Sequence, residues 1–357
     1  MTSTGFWVNK RVLVTGHTGF KGSWLSLLLT RLGASVVGVA LQPELTPCLF
    51  AAARIDESMT SLLHDIRDVG FLASTLSREN IEIVFHLAAQ SLVLPSYSDP
   101  METFSVNVLG TAAVLEAARK TPGVRAIVCV TSDKCYENNE WAWPYRESDA
   151  LGGHDPYSAS KACAEIVTAA YRRSFFDVSR SAAAIASARA GNVIGGGDWS
   201  QNRLVPDIMR AFASQRPLEI RNLGAVRPWQ HVLEPLSGYL LLAEHLSLTP
   251  ASSTGAWNFG PESSHEKTVG WIVGQAELLW PRTSSSVPIP PERHEAASLT
   301  LDSSKARRLL GWRPVLDMEA TLKWTVDWYR SFESGADARE LCSKDIETFF
   351  HAKKHHT

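Results

Sequence analysis

The sequence predicts an α/β fold: a doubly wound parallel sheet with a smaller, discontinuous C-terminal lobe. Three observations carry that expectation. Short apolar runs alternate with helical patterns from Arg11 to about Ser132, a glycine triplet follows the first run, and after about Gly195 the alternation weakens into loops containing Gly, Pro and Trp.

Taken in order, RVLVTG at 11–16 reads as the first strand and GSWLSLLLTRLG at 22–33 as the helix that follows it. SVVGVAL at 35–41 is a second strand, IEIVFHLAA at 81–89 another, TFSVNVLGTAAVLEAARK at 103–120 a helix, and RAIVCVTS at 125–132 a further strand. Several of these runs are apolar throughout, as strands covered by helices on both faces must be. Ligands on such a sheet sit beyond the carboxyl ends of the strands. Past Gly195, RLVPDIMRAFASQ at 203–215 and EPLSGYLLLAEHL at 234–246 are helical. No repeat or low-complexity linker separates the two parts, so closely packed lobes with a cleft between them are expected.

A chain of 357 residues, 45% of them hydrophobic, can bury a large core. The formal net charge of -2 supplies no basic field for nucleic acid, which leaves a small molecule as the expected partner. No apolar stretch reaches the length of a membrane span, and MTSTGFWVNKRVLV lacks the sections of a signal peptide, so a cytoplasmic protein is expected. Cys48, Cys129, Cys135, Cys163 and Cys342 show neither paired nor metal-binding spacing, which suits reduced thiols; Cys135 is expected to pack rather than react. No metal is expected, and the terminal HAKKHHT is read as a frayed, solvated tail without a role.

Gly16, Gly19 and Gly22, in VTGHTGFKG, follow the first strand and open a helix. Glycines there let the backbone approach a pyrophosphate at a helix N-terminus, the arrangement of a Rossmann dinucleotide site. The expected division is then residues 1–195 mainly for the dinucleotide and 196–357 mainly for the substrate, with the chain crossing between lobes. The end of the second strand, VVGVALQPEL, lacks the acidic residue that usually holds an adenosine ribose, so NADP stays open beside NAD; Arg54 is the nearest candidate for a 2′-phosphate. Asp65 and Ile66 hold the adenine edge, or Asp65 simply opens a helix.

TSDKCY at 131–136 closes an apolar run with a hydroxyl, a carboxylate and an amine on Ser132, Asp133 and Lys134. It is either an exposed turn with an ordinary ion pair or part of a site. YSASK places Tyr157 and Lys161 four apart on one helical face, where a cationic lysine and a positive nicotinamide ring both favour phenolate and fit the tyrosine for general-base work near neutral pH.

With GHTGFKG, HLAAQ at 86–90, TSDK and YSASK in that order, the chain resembles the extended short-chain dehydrogenase/reductase family nearly end to end, and within it the nucleotide-sugar 4,6-dehydratases. RAGNVIGGGDW at 189–199 is similar to the family's substrate-diphosphate segment, and TSDKCYENNEWAWPYRESDALGGHDPYSASK resembles the CDP-glucose branch. The resemblance implies NAD contacts from Gly16, Gly19, Phe20, Lys21, Gly22, Asp65, Ile66, Leu87, Ala88, Tyr157 and Lys161, and sugar-nucleotide contacts from Gln90, Asn192, Arg203 and Arg227. It further implies a homodimer or dimer of dimers and a place in deoxysugar synthesis for bacterial surface polysaccharide, lipopolysaccharide O-antigen included.

Oxidation of a hexose at C4 acidifies the C5 hydrogen, because the resulting carbanion spreads onto the ketone. Elimination then needs a base at C5 and an acid at the C6 hydroxyl, roles open to Lys134 and Asp133, with Lys134 in place of the glutamate that most relatives carry. A sugar-nucleotide 4-epimerase would use Tyr157 and Lys161 without needing Asp133 and Lys134. A dinucleotide-sensing regulator would need none of the four.

Overall fold

The computed structural model describes residues 5–176, 183–262, 267–280, 286–289 and 298–355. Its centre is a seven-stranded parallel sheet. The strands are β1 (Arg11–Thr15), β2 (Ser35–Ala40), β3 (Thr60–Leu63), β4 (Ile83–His86), β5 (Ala126–Val130), β6 (Ala184–Arg189) and an edge strand, Gly255–Asn258. From that edge strand the order runs β6, β5, β4, β1, β2, β3, with register pairs such as Val14 with Gly38 and Phe85 with Val128. The order reverses at β1, whose neighbours β2 and β4 leave it in opposite directions, so a crevice opens where the chains beyond β1 and β4 diverge.

Alternation sends neighbouring side chains of one strand to opposite cores. Val12 and Val14 enter the larger core and Leu13 the other; Ala126, Val128 and Val130 divide from Ile127 and Cys129 in the same way. Truncating a fully buried side chain such as Leu13 to alanine removes about 2–5 kcal/mol of stability.

Helix Phe20–Arg31 follows β1 and helix Pro156–Ser174 precedes β6. The helical run expected at 103–120 is interrupted: Pro100–Phe104 and Gly110–Arg119 are joined by one π-helical turn, Ser105–Leu109. Helix Leu233–Leu248 packs back on β5 and β6, and the edge strand then joins β6, so the second half of the chain returns to the sheet.

The terminal segment departs from expectation. Helix Ala338–His355 runs through HAKKH instead of fraying, because Ala338, Cys342, Ile346 and Phe349 bury one face of it in the larger core, and the charge of the half-buried Lys353 acts on the buried Glu234; residues 356 and 357 lie outside the described residues. Among the described residues no helix is long and apolar enough to cross a membrane.

Candidate active site

The chain leaving β1 turns at Gly16 in the left-handed region (φ 76°), where a Cβ would sit 2.7 Å from the backbone nitrogen of Ala88. A Cβ on Gly22 would lie 2.0 Å from the Gly16 carbonyl oxygen. Gly19 is different: its nearest neighbour would be 3.4 Å away, and it caps helix Phe20–Arg31 without any side-chain hydrogen bond. Two glycines therefore close the loop on itself and the third leaves the helix N-terminus open, which fits a pyrophosphate held by backbone N–H groups.

That loop forms one end of a cleft of about 910 Å³, lined also by the segments beyond β2, β4, β5 and β6. With one exception, every residue singled out as a site candidate in the sequence lines it, from Gly16 to Arg227. Arg54 does not; it pairs with Asp337 at 2.8 Å and is no reader of a 2′-phosphate. Beyond β2 the cleft takes Gln42 and Glu44, so a carboxylate does reach it, later in the chain than the strand end.

Asp65 does not open a helix. Asp68 caps Val69–Arg78 by accepting from the Phe71 N–H, while Asp65 accepts from Arg67 Nη2 at 2.6 Å, and that ion pair holds its carboxyl below the usual range. Ile66 is buried against Gly110, and the Leu87 and Ala88 N–H groups both donate to Thr15 Oγ1 at 3.2 Å. Burial presses Lys21 down to about 7, with the Arg203 charge acting in the same direction.

Beyond β5 the chain reaches Ser132 in extended conformation and enters a single 3₁₀ turn, Asp133–Cys135. Ser132 Oγ accepts from the Lys134 N–H at 3.2 Å and donates to Asp133 Oδ1 at 2.9 Å. Asp133 is 1% exposed, its Oδ2 has no hydrogen-bond partner among the described residues, and Lys134 Nζ stands 3.9 Å from Oδ1 with a third of its side chain exposed. A charge-assisted bond is about 2.8 Å long. The turn is thus no ordinary surface ion pair: a buried carboxyl with a spare oxygen sits beside a loosely held amine. Cys135 is fully buried and its thiol is pushed well up by desolvation, so it packs.

Helix Pro156–Ser174 starts at Asp155, which accepts from the Ser158 N–H, and its first two turns bring Tyr157 and Lys161 into the cleft, both more than nine-tenths buried. The phenolate expected near neutral pH is not what these residues alone stabilise. Burial drives the Tyr157 phenol up to about 12, with a Ser132 hydrogen bond and the Arg203 charge pulling the other way. Burial presses Lys161 down to about 8, so it keeps its charge near neutrality.

Asn192, whose carbonyl accepts from the Gln230 N–H, lines the cleft beside Gly191. Arg203 meets Asp198 at 3.3 Å and Ser91 Oγ at 3.3 Å, and Arg227 donates to the Val226 carbonyl at 2.8 Å. Gln90 lines the cleft, but its amide is occupied within its own loop: Nε2 donates to the Leu92 carbonyl and to Thr103 Oγ1, and Oε1 accepts from the Leu92 N–H. That makes it a loop-setting residue before it is a ligand.

Two participants carried little signal in the sequence. Asn107, in the π-helical turn, accepts from the Gln90 N–H and donates to the Gln90 carbonyl at 2.9 Å and to Ser160 Oγ at 2.8 Å, tying the β4 loop to the tyrosine helix; its only mark is a polar residue in the apolar run SVNVL. Gly191 is the floor under Asp133: a Cβ there would lie 2.4 Å from Oδ2.

Comparison with known proteins shows the family of the chain. A family model described as GDP-mannose 4,6 dehydratase matches residues 13–325. The chain is 48% identical to a CDP-glucose 4,6-dehydratase of Salmonella typhimurium, covering 96% of this chain and 97% of that protein. It is 27% identical to a UDP-glucose 4-epimerase of Lacticaseibacillus casei, over 91% and 98% of the two chains. A dTDP-glucose 4,6-dehydratase of Bacillus anthracis, solved in complex with NAD, shares the fold with a TM-score of 0.77 at 22% identity, over 91% of this chain and 98% of that one. Matched along most of its length, with the glycine loop, the TSDK turn and the tyrosine–lysine pair gathered in one cleft, the chain belongs to the GDP-mannose 4,6 dehydratase family of extended short-chain dehydrogenases/reductases.

Proposed function

We propose that the chain is an NAD-dependent hydro-lyase that converts CDP-glucose to CDP-4-keto-6-deoxyglucose. The observation that carries this reading is the meeting, in one cleft, of two pairs with separate work: Tyr157 with Lys161, and Asp133 with Lys134. The CDP-glucose 4,6-dehydratase likeness, at 48% identity, supports the nucleotide and the sugar. A 4-epimerase reading leaves Asp133 and Lys134 without work.

In this reading the Gly16–Gly22 loop and the N-terminus of helix Phe20–Arg31 hold the pyrophosphate, with Phe20, Lys21, Asp65, Ile66, Leu87 and Ala88 along the rest of the dinucleotide. NAD held there would supply hydride uptake at C4 and hydride return at C6, and a positive ring charge that favours the buried phenolate. Tyr157 then removes the C4 hydroxyl proton, held in place by Ser132, while Lys161 stays cationic beside it. Lys134, close to solvent and loosely held, removes the C5 proton. Asp133 hands a proton to the departing C6 hydroxyl. Asn192, Arg203 and Arg227 hold the nucleotide diphosphate, and residues 196–357 form most of the substrate side. The exposed Leu109 and Ile166, on neighbouring helical segments, support a homodimer built on that face. Five free cysteines support a reducing, cytoplasmic setting, and the product's chemistry suits deoxysugar supply for surface polysaccharide such as O-antigen.

The test is a panel of CDP-, dTDP-, UDP- and GDP-hexoses, read by the appearance of a 4-keto-6-deoxy product. Turnover confined to CDP-glucose is expected. A 4-epimerised sugar, with no ketone, would replace this reading.

A further inference from the structure

One turn beyond Lys161, on the same face of helix Pro156–Ser174, stands Glu165, 4% exposed and outside the cleft lining. A buried carboxylate is costly unless its oxygens are used. Here they are: Oε1 accepts from Thr131 Oγ1, and Oε2 accepts from Ser187 Oγ and from Arg189 Nη2, both at 2.7 Å. Burial works against this carboxylate, but Arg189 and the hydroxyl donors outweigh it and hold the group below its ordinary value. Arg189, 3% exposed, passes the contact on: Nη1 donates to Tyr136 Oη at 2.7 Å, and that hydroxyl donates to Asn258 Oδ1 at 2.7 Å.

The partners define what the pair can do. Thr131 immediately precedes Ser132, and Tyr136 follows the 3₁₀ turn, so Glu165 and Arg189 grip the TSDK segment on both sides. The groups facing Lys161 are Glu165, Cys129 and Cys135, together with Lys21 and His86. Both thiols are raised by burial and His86 is pressed down to about 3, so these three are neutral at working pH, and Lys21, when charged, repels. Glu165 brings the attraction.

We propose that Glu165, paired with Arg189, is a positioning residue that supplies the counter-charge of Lys161 and locks the TSDK turn to the tyrosine helix. This rests on the assignment of Tyr157 and Lys161 to C4 oxidation. It assigns the pair a part in catalysis that ordinary core stability would not require.

The decisive protein is the double variant Glu165→Gln/Arg189→Met in the full chain, which removes both charges at nearly constant volume. Replacing a whole buried ion pair, unlike breaking it, leaves stability nearly unchanged. A melting temperature close to the parent's is expected, with the alkaline limb of the pH–kcat profile moved to lower pH, since Lys161 then loses its proton more readily. Each unit of that movement lowers the charged fraction above the limb about tenfold. A parent-like limb and parent kcat would overturn the proposal and leave the pair a fold element. Should the double variant not fold, Glu165→Asp decides: charge retained but drawn back by one methylene should keep the parent limb and lose about tenfold or more in kcat, and an unchanged kcat overturns the proposal. Tyr157→Phe, assayed alongside, separates the two levels. If it keeps near-parent turnover the assignment beneath has failed; if it is dead while the double variant matches the parent, only this proposal has.

Discussion

Gly191→Ala is a one-carbon change that should strike a single step. Its Cβ would come to 2.4 Å from Asp133 Oδ2 and 2.8 Å from Pro228 Cγ, where ordinary contact begins at 3.4 Å. The carboxyl must therefore retreat by about 1 Å, and Pro228 closes the other side. A misplacement of that size is enough to cost about 10²-fold in a positioned catalytic group. Tyr157 and Lys161 are on a different element, so C4 oxidation should survive while loss of the C6 hydroxyl slows. Mixing the variant with CDP-glucose and following nicotinamide absorbance should show reduced cofactor building up on the enzyme, with product formation down about 10²-fold. Gly274→Ala is the control: nothing lies within 4 Å of its Cβ in helix Val269–Leu279, so activity should be unchanged and stability equal or up to about 1 kcal/mol higher. Parent turnover in Gly191→Ala, without any reduced cofactor, would refute the view that this contact places the acid.

Tyr157→Phe should lower turnover by about 10²-fold or more, with folding unchanged by melting temperature, because no group then takes the C4 hydroxyl proton; near-parent turnover would return the tyrosine to a packing role. Lys134→Met should spare C4 oxidation and stop exchange of the C5 hydrogen with deuterated solvent in a single turnover; exchange at the parent rate would leave Lys134 an ion-pair partner of Asp133. Burial raises the Glu234 carboxyl to about 7 against 4.5 in the unfolded chain, so the fold is penalised progressively as pH rises from 4.5 to 7 and fully above that. Glu234→Gln keeps an acceptor for the Val315 and Leu316 N–H groups, and should flatten that slope and gain roughly 2–3 kcal/mol at pH 8 in denaturant unfolding; an unchanged slope would place the pH dependence elsewhere.

What could be read from the chain was local. The Gly16, Gly19 and Gly22 spacing, the serine–aspartate–lysine run and the four-residue step from Tyr157 to Lys161 are each confined to a few residues, and each lies in the cleft. What could not be read depends on contacts between distant segments. Gln90 is 13 residues from the Thr103 hydroxyl that binds its amide, and Asn107 is 53 from Ser160. Nothing near Asp133 indicates that Gly191 lies under it, and nothing near HAKKHHT indicates that Cys342, Ile346 and Phe349, one to three turns before Lys353, bury the same helix in the larger core. The edge strand Gly255–Asn258 was similarly hidden, since four residues carry too little pattern to announce a return to the sheet.

Hydride that leaves C4 should return to C6 of the same sugar, and a deuterium label follows it. CDP-glucose carrying deuterium at C4 would be turned over with a small amount of unlabelled NAD, and the product examined by mass and NMR. Internal return puts deuterium at C6 of the same sugar, with many turnovers per cofactor and no net NADH. Loss of the label to the cofactor pool, with NADH rising in step with product, would contradict it and make the protein an ordinary dehydrogenase.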